Sequence, residues 1–115
     1  LIMPYINTVT NVKISKSNEE SIKSKFGDAI KILGKSESWL MLNFTDSQRM
    51  YFQGDNSKPM AMVEVQLFGK AQPNAYDTMT STITDIISNE LNILPNQIYV
   101  KYEEVSYWGW NGNNF

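Results

Sequence analysis

The chain contains no cysteine and no histidine. The first absence excludes disulfides, thiolate nucleophiles and cysteine-rich metal sites. The second removes the side chain that most often moves protons near neutral pH. A catalyst built from this sequence must use a carboxylate, a lysine, a tyrosine or a chain terminus. Positive charge is also scarce. Ten Lys and Arg stand against twelve Asp and Glu, for a net charge of −2, so no basic face for nucleic acid is expected. No apolar run approaches the roughly 20 residues of a membrane span, so no membrane partner is expected either. Leu1–Tyr5 is too short for the core of a signal peptide, and no charged leader precedes it. The expected location is therefore the cytosol. The remainder is ordinary: 115 residues, 42% apolar and 19% charged, suit a single domain over 1–115 with a modest core.

Periodicity then divides the chain. Residues 5–12 set Tyr5, Asn7 and Val9 against Ile6, Thr8 and Thr10, the alternation of a strand. Ser17 with Glu20 has the form of a capping box. Ile22, Phe26, Ala29, Ile30 and Leu33 follow at helical spacing, which predicts a helix over 18–33 closed by Gly34. Residues 39–44 read as a short buried strand. Residues 45–58 read as a loop or irregular hairpin, with Met50-Tyr51-Phe52 a candidate short strand. Residues 60–68 form the strongest strand pattern of all. A turn follows, with Asn74 and Asp77 suggesting a second N-cap. Met79, Ile83, Ile86, Ile87 and Leu91 make the stripe of a second helix, which Pro95 prevents from continuing. Residues 98–102 are a further strand. The tail over 107–115 is aromatic, carries Gly109 and Gly112, and is too apolar for a disordered end.

A weak internal repeat appears at an offset of 58 residues, aligning Leu33 with Leu91, Leu40 with Ile98, Leu42 with Val100 and Phe44 with Tyr102. At the same offset Pro4-Tyr5-Ile6 falls on Met62-Val63-Glu64. Two βαβ units in so short a chain predict an α+β fold, a four-stranded mixed sheet with both helices on one face. The other sheet face needs cover. The strongest strand is apolar on both faces, Val63, Val65 and Leu67 against Met62 and Phe68, so an oligomer is expected.

Taken together, these residues resemble the macrophage migration inhibitory factor family of the tautomerase superfamily. The matching pieces are Met3-Pro4 opening a strand, Thr10-Asn11-Val12 at its end and Leu33-Gly34-Lys35 closing the first helix. They continue with Met50-Tyr51-Phe52, Phe68-Gly69, Pro95-Asn96-Gln97-Ile98-Tyr99 and the tail Trp108-Gly109-Trp110-Asn111-Gly112 ending in Phe115. The resemblance implies a homotrimer whose three sheets line a central barrel. It also implies a cofactor-free, metal-free keto–enol tautomerase acting on a small aromatic keto or enol acid, with the N-terminal proline as base.

By that resemblance Pro4 is the catalytic residue after loss of Met3, and Lys35 holds the substrate carboxylate. The alternative for Lys35 is a cation answering a helix C-terminus. Phe68 would offer its backbone N–H to substrate, and Tyr99 would come from a neighbouring subunit; both also suit plain strand packing. Trp39 and Trp108 align with the pocket mouth. Lys101 stands where well-known members carry an asparagine near the catalytic amine, and it either depresses the proline pKa or points to the surface. The family's CxxC pair is absent, Pro59–Val63 running through that region. A second reading is a cytokine-like ligand of a cell-surface receptor, released without a signal peptide. The receptor-binding Arg/Asp pair is not reproduced, Ile14 falling near the first position and Lys13 with Asp46 making only a loose substitute. Leu1-Ile2 has no counterpart in the family. The expectation is that both are left over from expression, sit in or across the pocket while attached, and leave Pro4 a non-basic amide.

Overall fold

The computed structural model describes residues 3–115; the expectation about Leu1 and Ile2 lies outside these described residues. The four-stranded mixed sheet with two helices on one face is as expected. Its strand order is β2-β1-β3-β4, from β1 (Pro4–Thr10), β2 (Met41–Thr45), β3 (Ala61–Phe68) and β4 (Ile98–Val105). The pairs β1–β2 and β3–β4 are parallel, and β1–β3 is antiparallel at the centre. Each parallel pair is bridged by a helix, α1 (Lys16–Ala29) or α2 (Pro73–Leu91). Among the described residues, no helix is long and apolar enough to cross a membrane.

One apolar core lies between the helices and the sheet. Ile6, Val63 and Val65 meet Ile22, Phe26 and Ile30 of the first helical segment and Met79, Ile83 and Ile87 of the second. All five residues expected to form the stripe of α2 are buried. The helix starts differ from expectation. Ser15, not Ser17, caps α1 by accepting the Asn18 N–H at 3.1 Å. Gln72 precedes α2 and Pro73 opens it, rather than Asn74 capping it, because proline's fixed φ and missing N–H suit the first helical turn. Trp39 lies in a 3-10 turn, Glu37–Trp39. The strand after it is a half-exposed edge strand, not a buried one. In the loop, Met50-Tyr51-Phe52 forms no strand; Phe52 makes an isolated bridge to Asp55.

The repeat is real, with a corrected register. Ile6 pairs with Leu42 and Thr8 with Phe44 in the first half, as Val63 pairs with Val100 and Val65 with Tyr102 in the second. The first strands therefore correspond one residue closer than the second strands do, so Pro4 matches Ala61 rather than Met62. The slip is taken up where the first helix tightens into a 3-10 turn over Ile30–Leu33 while α2 stays α-helical to Leu91. Four residues rising about 2.0 Å each climb as far as five rising about 1.5 Å.

The open sheet face is also more polar than expected. Its middle row is Asn43, Asn7, Glu64 and Lys101, one residue from each strand. Apolar residues occupy only the rows toward its ends.

Candidate active site

Pro4 opens β1 on its buried face, opposite Leu67 of β3. The preceding residue, Met3, is 3% exposed, and its carbonyl accepts the Phe68 N–H at 3.1 Å. A cavity of about 530 Å³ opens at this end of the sheet, lined by Pro4, Trp39, Met41, Gln66, Trp108 and Trp110 among others. The 3-10 turn that displaces Trp39 from the expected strand carries its indole to the cavity wall.

The opposite wall is the tail. Gly109–Trp110 and Asn113–Asn114 form a two-stranded hairpin, β5 and β6. Its turn residues Asn111 and Gly112 both have positive φ, 52° and 81°, the geometry that Asn-Gly supplies most readily. The Phe115 N–H closes the ribbon on the Trp108 carbonyl at 3.0 Å. Trp110 meets Trp39 edge to face with ring centres 4.9 Å apart, and Phe115 lies 5.7 Å from Phe68. Such aromatic pairs hold one segment to another without hydrogen bonds.

Pro4, Trp39 and Trp108 are thus brought together. Lys35 lies directly after the left-handed Gly34 that ends the helical segment. It is 6% exposed and joins no ion pair among the described residues. Burial holds its ammonium below the ordinary lysine value, because desolvation penalises the charged form. A buried cation without a counter-ion is favourable to an entering carboxylate.

Tyr99 and Lys101 are not at this cavity. Both lie on the open face of β4. Tyr99 is opposite Met62, itself opposite Val9, five residues along β1 from Pro4 and about 17 Å away along the strand. Tyr99 is 60% exposed; it packs edge to face on Phe52 at 4.9 Å and borders a separate apolar cleft of about 200 Å³ with Met50, Met60 and Met62. Lys101 pairs with Glu64 at 3.2 Å. Phe68 borders a different cavity, with Gly69 and Lys70, and is tied to this one only through its N–H bond to Met3.

Sequence reasoning missed Trp110, Phe115, Met41 and Gln66. The signal for the first two was present: Asn111-Gly112 between aromatic residues is a strong short-range hairpin mark. Among the described residues no group of three or more His, Cys, Asp or Glu side chains is placed to hold a metal. The cavity instead offers a strand-initial nitrogen and aromatic walls; Lys35 and Phe68 are not among the residues that line it.

Comparison with known proteins gives a consistent result. The model of the family described as macrophage migration inhibitory factor (MIF) matches residues 3–115. Macrophage migration inhibitory factor from Xenopus laevis is 27% identical over 115 residues, 98% of this chain and 99% of its own. The crystal structure of MIF2 from Leishmania major has 32% sequence identity and a TM-score of 0.92, covering 98% of this chain and 97% of that one. The homologue from Prochlorococcus marinus has 26% identity and a TM-score of 0.87, covering 96% of this chain and 98% of that one.

Proposed function

The chain belongs to the macrophage migration inhibitory factor family, and from that premise we propose that it is a cofactor-free keto–enol tautomerase with Pro4 as its acid–base group. The observation that carries the proposal is the position of Pro4, first in β1 and set in an aromatic cavity. A terminal α-amine has an ordinary pKa of about 8. An apolar cavity disfavours its ammonium form. The neutral amine takes a proton from the carbon next to the substrate carbonyl, and the resulting ammonium delivers a proton to the enolate oxygen. The reverse transfer converts enol to keto form.

Lys35 supplies charge for the substrate carboxylate. Phe68 supplies a backbone donor, and removal of Met3 frees it: the N–H now bonded to the Met3 carbonyl is left without that partner beside the newly exposed amine. The Met3 carbonyl therefore stands where a substrate oxygen is expected. Trp39, Trp108 and Trp110 exclude water and suit an aryl group, as in phenylpyruvate or dopachrome. Tyr99 is too far along the sheet to serve Pro4 of its own chain. Its place in the proposal is in the site of a neighbouring copy within a homotrimer, where the apolar cleft around it is covered.

The receptor-ligand reading has less support, since Asp46 is already engaged, its Oδ2 accepting the Ile14 N–H at 2.8 Å. The test is turnover of phenylpyruvate by a chain beginning at Pro4 and by one that retains Met3. A loss of at least about a hundredfold on retaining Met3 is expected, because an amide nitrogen has no usable basicity. Equal rates overturn the assignment of the base.

A further inference from the structure

Asn111-Gly112 is the chain's sole Asn-Gly step. It forms the turn of the β5–β6 ribbon, and both residues are exposed. The groups of this dipeptide that can react with each other are free. Among the described residues, neither the Asn111 side-chain amide nor the Gly112 N–H has a hydrogen-bond partner. Only the Asn111 carbonyl is engaged, accepting from Asn113 Nδ2 at 3.5 Å. No heavy atom lies within 4 Å of the point where a Gly112 Cβ would stand, so nothing shields that backbone nitrogen. The ribbon is also built to open. Its strands are two residues each, and a hairpin standing alone in water is marginal at best. Among the described residues no hydrogen bond joins 108–115 to the main sheet or the helices; the ring contacts of Trp110 with Trp39 and of Phe115 with Phe68 do that work. A segment so tied opens locally at little cost.

We propose that Asn111 is a site of spontaneous deamidation whose isoaspartyl product dismantles the aromatic wall of the Pro4 cavity. When the ribbon opens, the Gly112 nitrogen loses its proton to hydroxide and attacks Asn111 Cγ. The N–Cγ bond forms, the Cγ–Nδ2 bond breaks, and the side-chain nitrogen leaves as ammonia, taking its proton from water. Water then opens the resulting succinimide. Attack at Cγ gives aspartate; attack at the Asn111 main-chain carbonyl gives isoaspartate. Each product adds one negative charge. Aspartate followed by glycine still suits a two-residue turn with positive φ at both positions. Isoaspartate places one extra carbon in the backbone, and the register of Trp110 opposite Asn113 is lost. Trp110 then leaves Trp39, and Phe115 leaves Phe68. The modification follows from the turn alone. Its effect on turnover rests on the proposed tautomerase reading.

The test ages the chain beginning at Pro4 in mildly alkaline and in mildly acidic buffer. Peptide mapping by mass spectrometry follows each asparagine, tryptophan fluorescence follows the wall, and phenylpyruvate turnover follows the site. The expected result is ammonia release and isoaspartate at position 111 ahead of every other asparagine, faster in the alkaline sample. The fluorescence should shift, and turnover should fall, in proportion to the isoaspartyl fraction. Asn111→Gly keeps a turn that accepts positive φ and should age without either change. Asn111→Asp should match the fresh parent, which assigns the loss to the backbone and not to the added charge. Protein isoaspartyl methyltransferase with S-adenosylmethionine returns isoaspartate to aspartate through the succinimide, and should restore both signals to the aged parent. An intact Asn111 in a sample whose other asparagines have reacted overturns the proposal. So does isoaspartate at 111 with unchanged fluorescence. If the fresh chain shows no turnover, the tautomerase reading fails by itself, and mapping with fluorescence still decides this proposal.

Discussion

In the second half of the molecule, α2 runs unbroken from Pro73 to Leu91 and the paired strands β3 and β4 are eight residues each. In the first half, the equivalent helix gives way at Ala29 to a 3-10 turn, a second 3-10 turn interrupts the path to β2, and β2 itself is five residues long. Both halves bury matching apolar positions, so packing does not require the irregularity. The 3-10 turns lead into Lys35 and Trp39, and the first half also contributes Pro4. Regular structure in one copy of a repeated unit provides the reference against which the other copy's departures mark the site.

The largest expected effects test whether the two halves are equal in the core. Phe26 and Ile83 are equivalent, each fully buried in the core. Phe26→Ala should cost about 3–5 kcal/mol and Ile83→Ala about 2–5 kcal/mol in urea unfolding. A cost near zero for either would mean that half is not packed as described.

How far this was legible in the sequence depends on the kind of signal. The α2 stripe was complete in the sequence because five apolar residues at one spacing leave one face to bury. The N-caps were misplaced because Ser15, Ser17 and Asn18 all bear suitable oxygens, and only the chain's path decides among them; Ser15 and Ser17 lie 3.4 Å apart in the result. In β1 the alternation was visible but not its direction. The buried set is Pro4, Ile6, Thr8 and Thr10, the more polar of the two sets apart from Ile6. The role proposed for the fourth strand was unreadable from periodicity. Tyr99 and Lys101 occupy ordinary strand positions, and only the resemblance gave them a role.

Thr8 sharpens the comparison next. Its hydroxyl is fully buried with no hydrogen-bond partner among the described residues, whereas nearby Thr10 donates to the Met60 carbonyl at 2.7 Å. The equivalent position in the second half is Val65. An unsatisfied buried hydroxyl costs about 1–3 kcal/mol. Val65→Thr should therefore destabilise by about that amount, and Thr8→Val should stabilise by about 1 kcal/mol. If Thr8→Val destabilises instead, the hydroxyl has a partner and the asymmetry is functional.

The two helical segments also end alike, on a left-handed residue: Gly34 with φ 74° and Asn92 with φ 55°. Glycine adopts this conformation without steric cost, and asparagine at a small one. Asn92→Gly should raise stability by a few tenths of a kcal/mol, and Gly34→Ala should lower it by about 1 kcal/mol. Thermal unfolding of both variants checks the pair. A loss of stability on Asn92→Gly, or none on Gly34→Ala, would break the equivalence of the two ends.

The smallest expected effect concerns what joins the halves on their outer side. Glu90 of α2 accepts from Lys25 and Ser21 of α1, at 2.6 Å and 2.8 Å, while Asn18 donates to its backbone carbonyl at 3.2 Å. The Lys25 bond first, then Ser21, holds its carboxyl below the ordinary glutamate value. A carboxyl depressed on folding contributes its stability above the unfolded pKa, near 4.5, and loses it as pH falls through the folded value. Lys25 is half exposed, so solvent screening keeps the contribution below about 1 kcal/mol. Glu90→Gln should lower stability slightly at pH 7, and the gap to the parent should close as the solution is acidified below about pH 4. A gap that persists unchanged in acid would assign the tie to the neutral hydrogen bonds from Asn18 and Ser21. The two helices would then be joined by side-chain geometry rather than by charge, as the sheet beneath them is joined by its backbone.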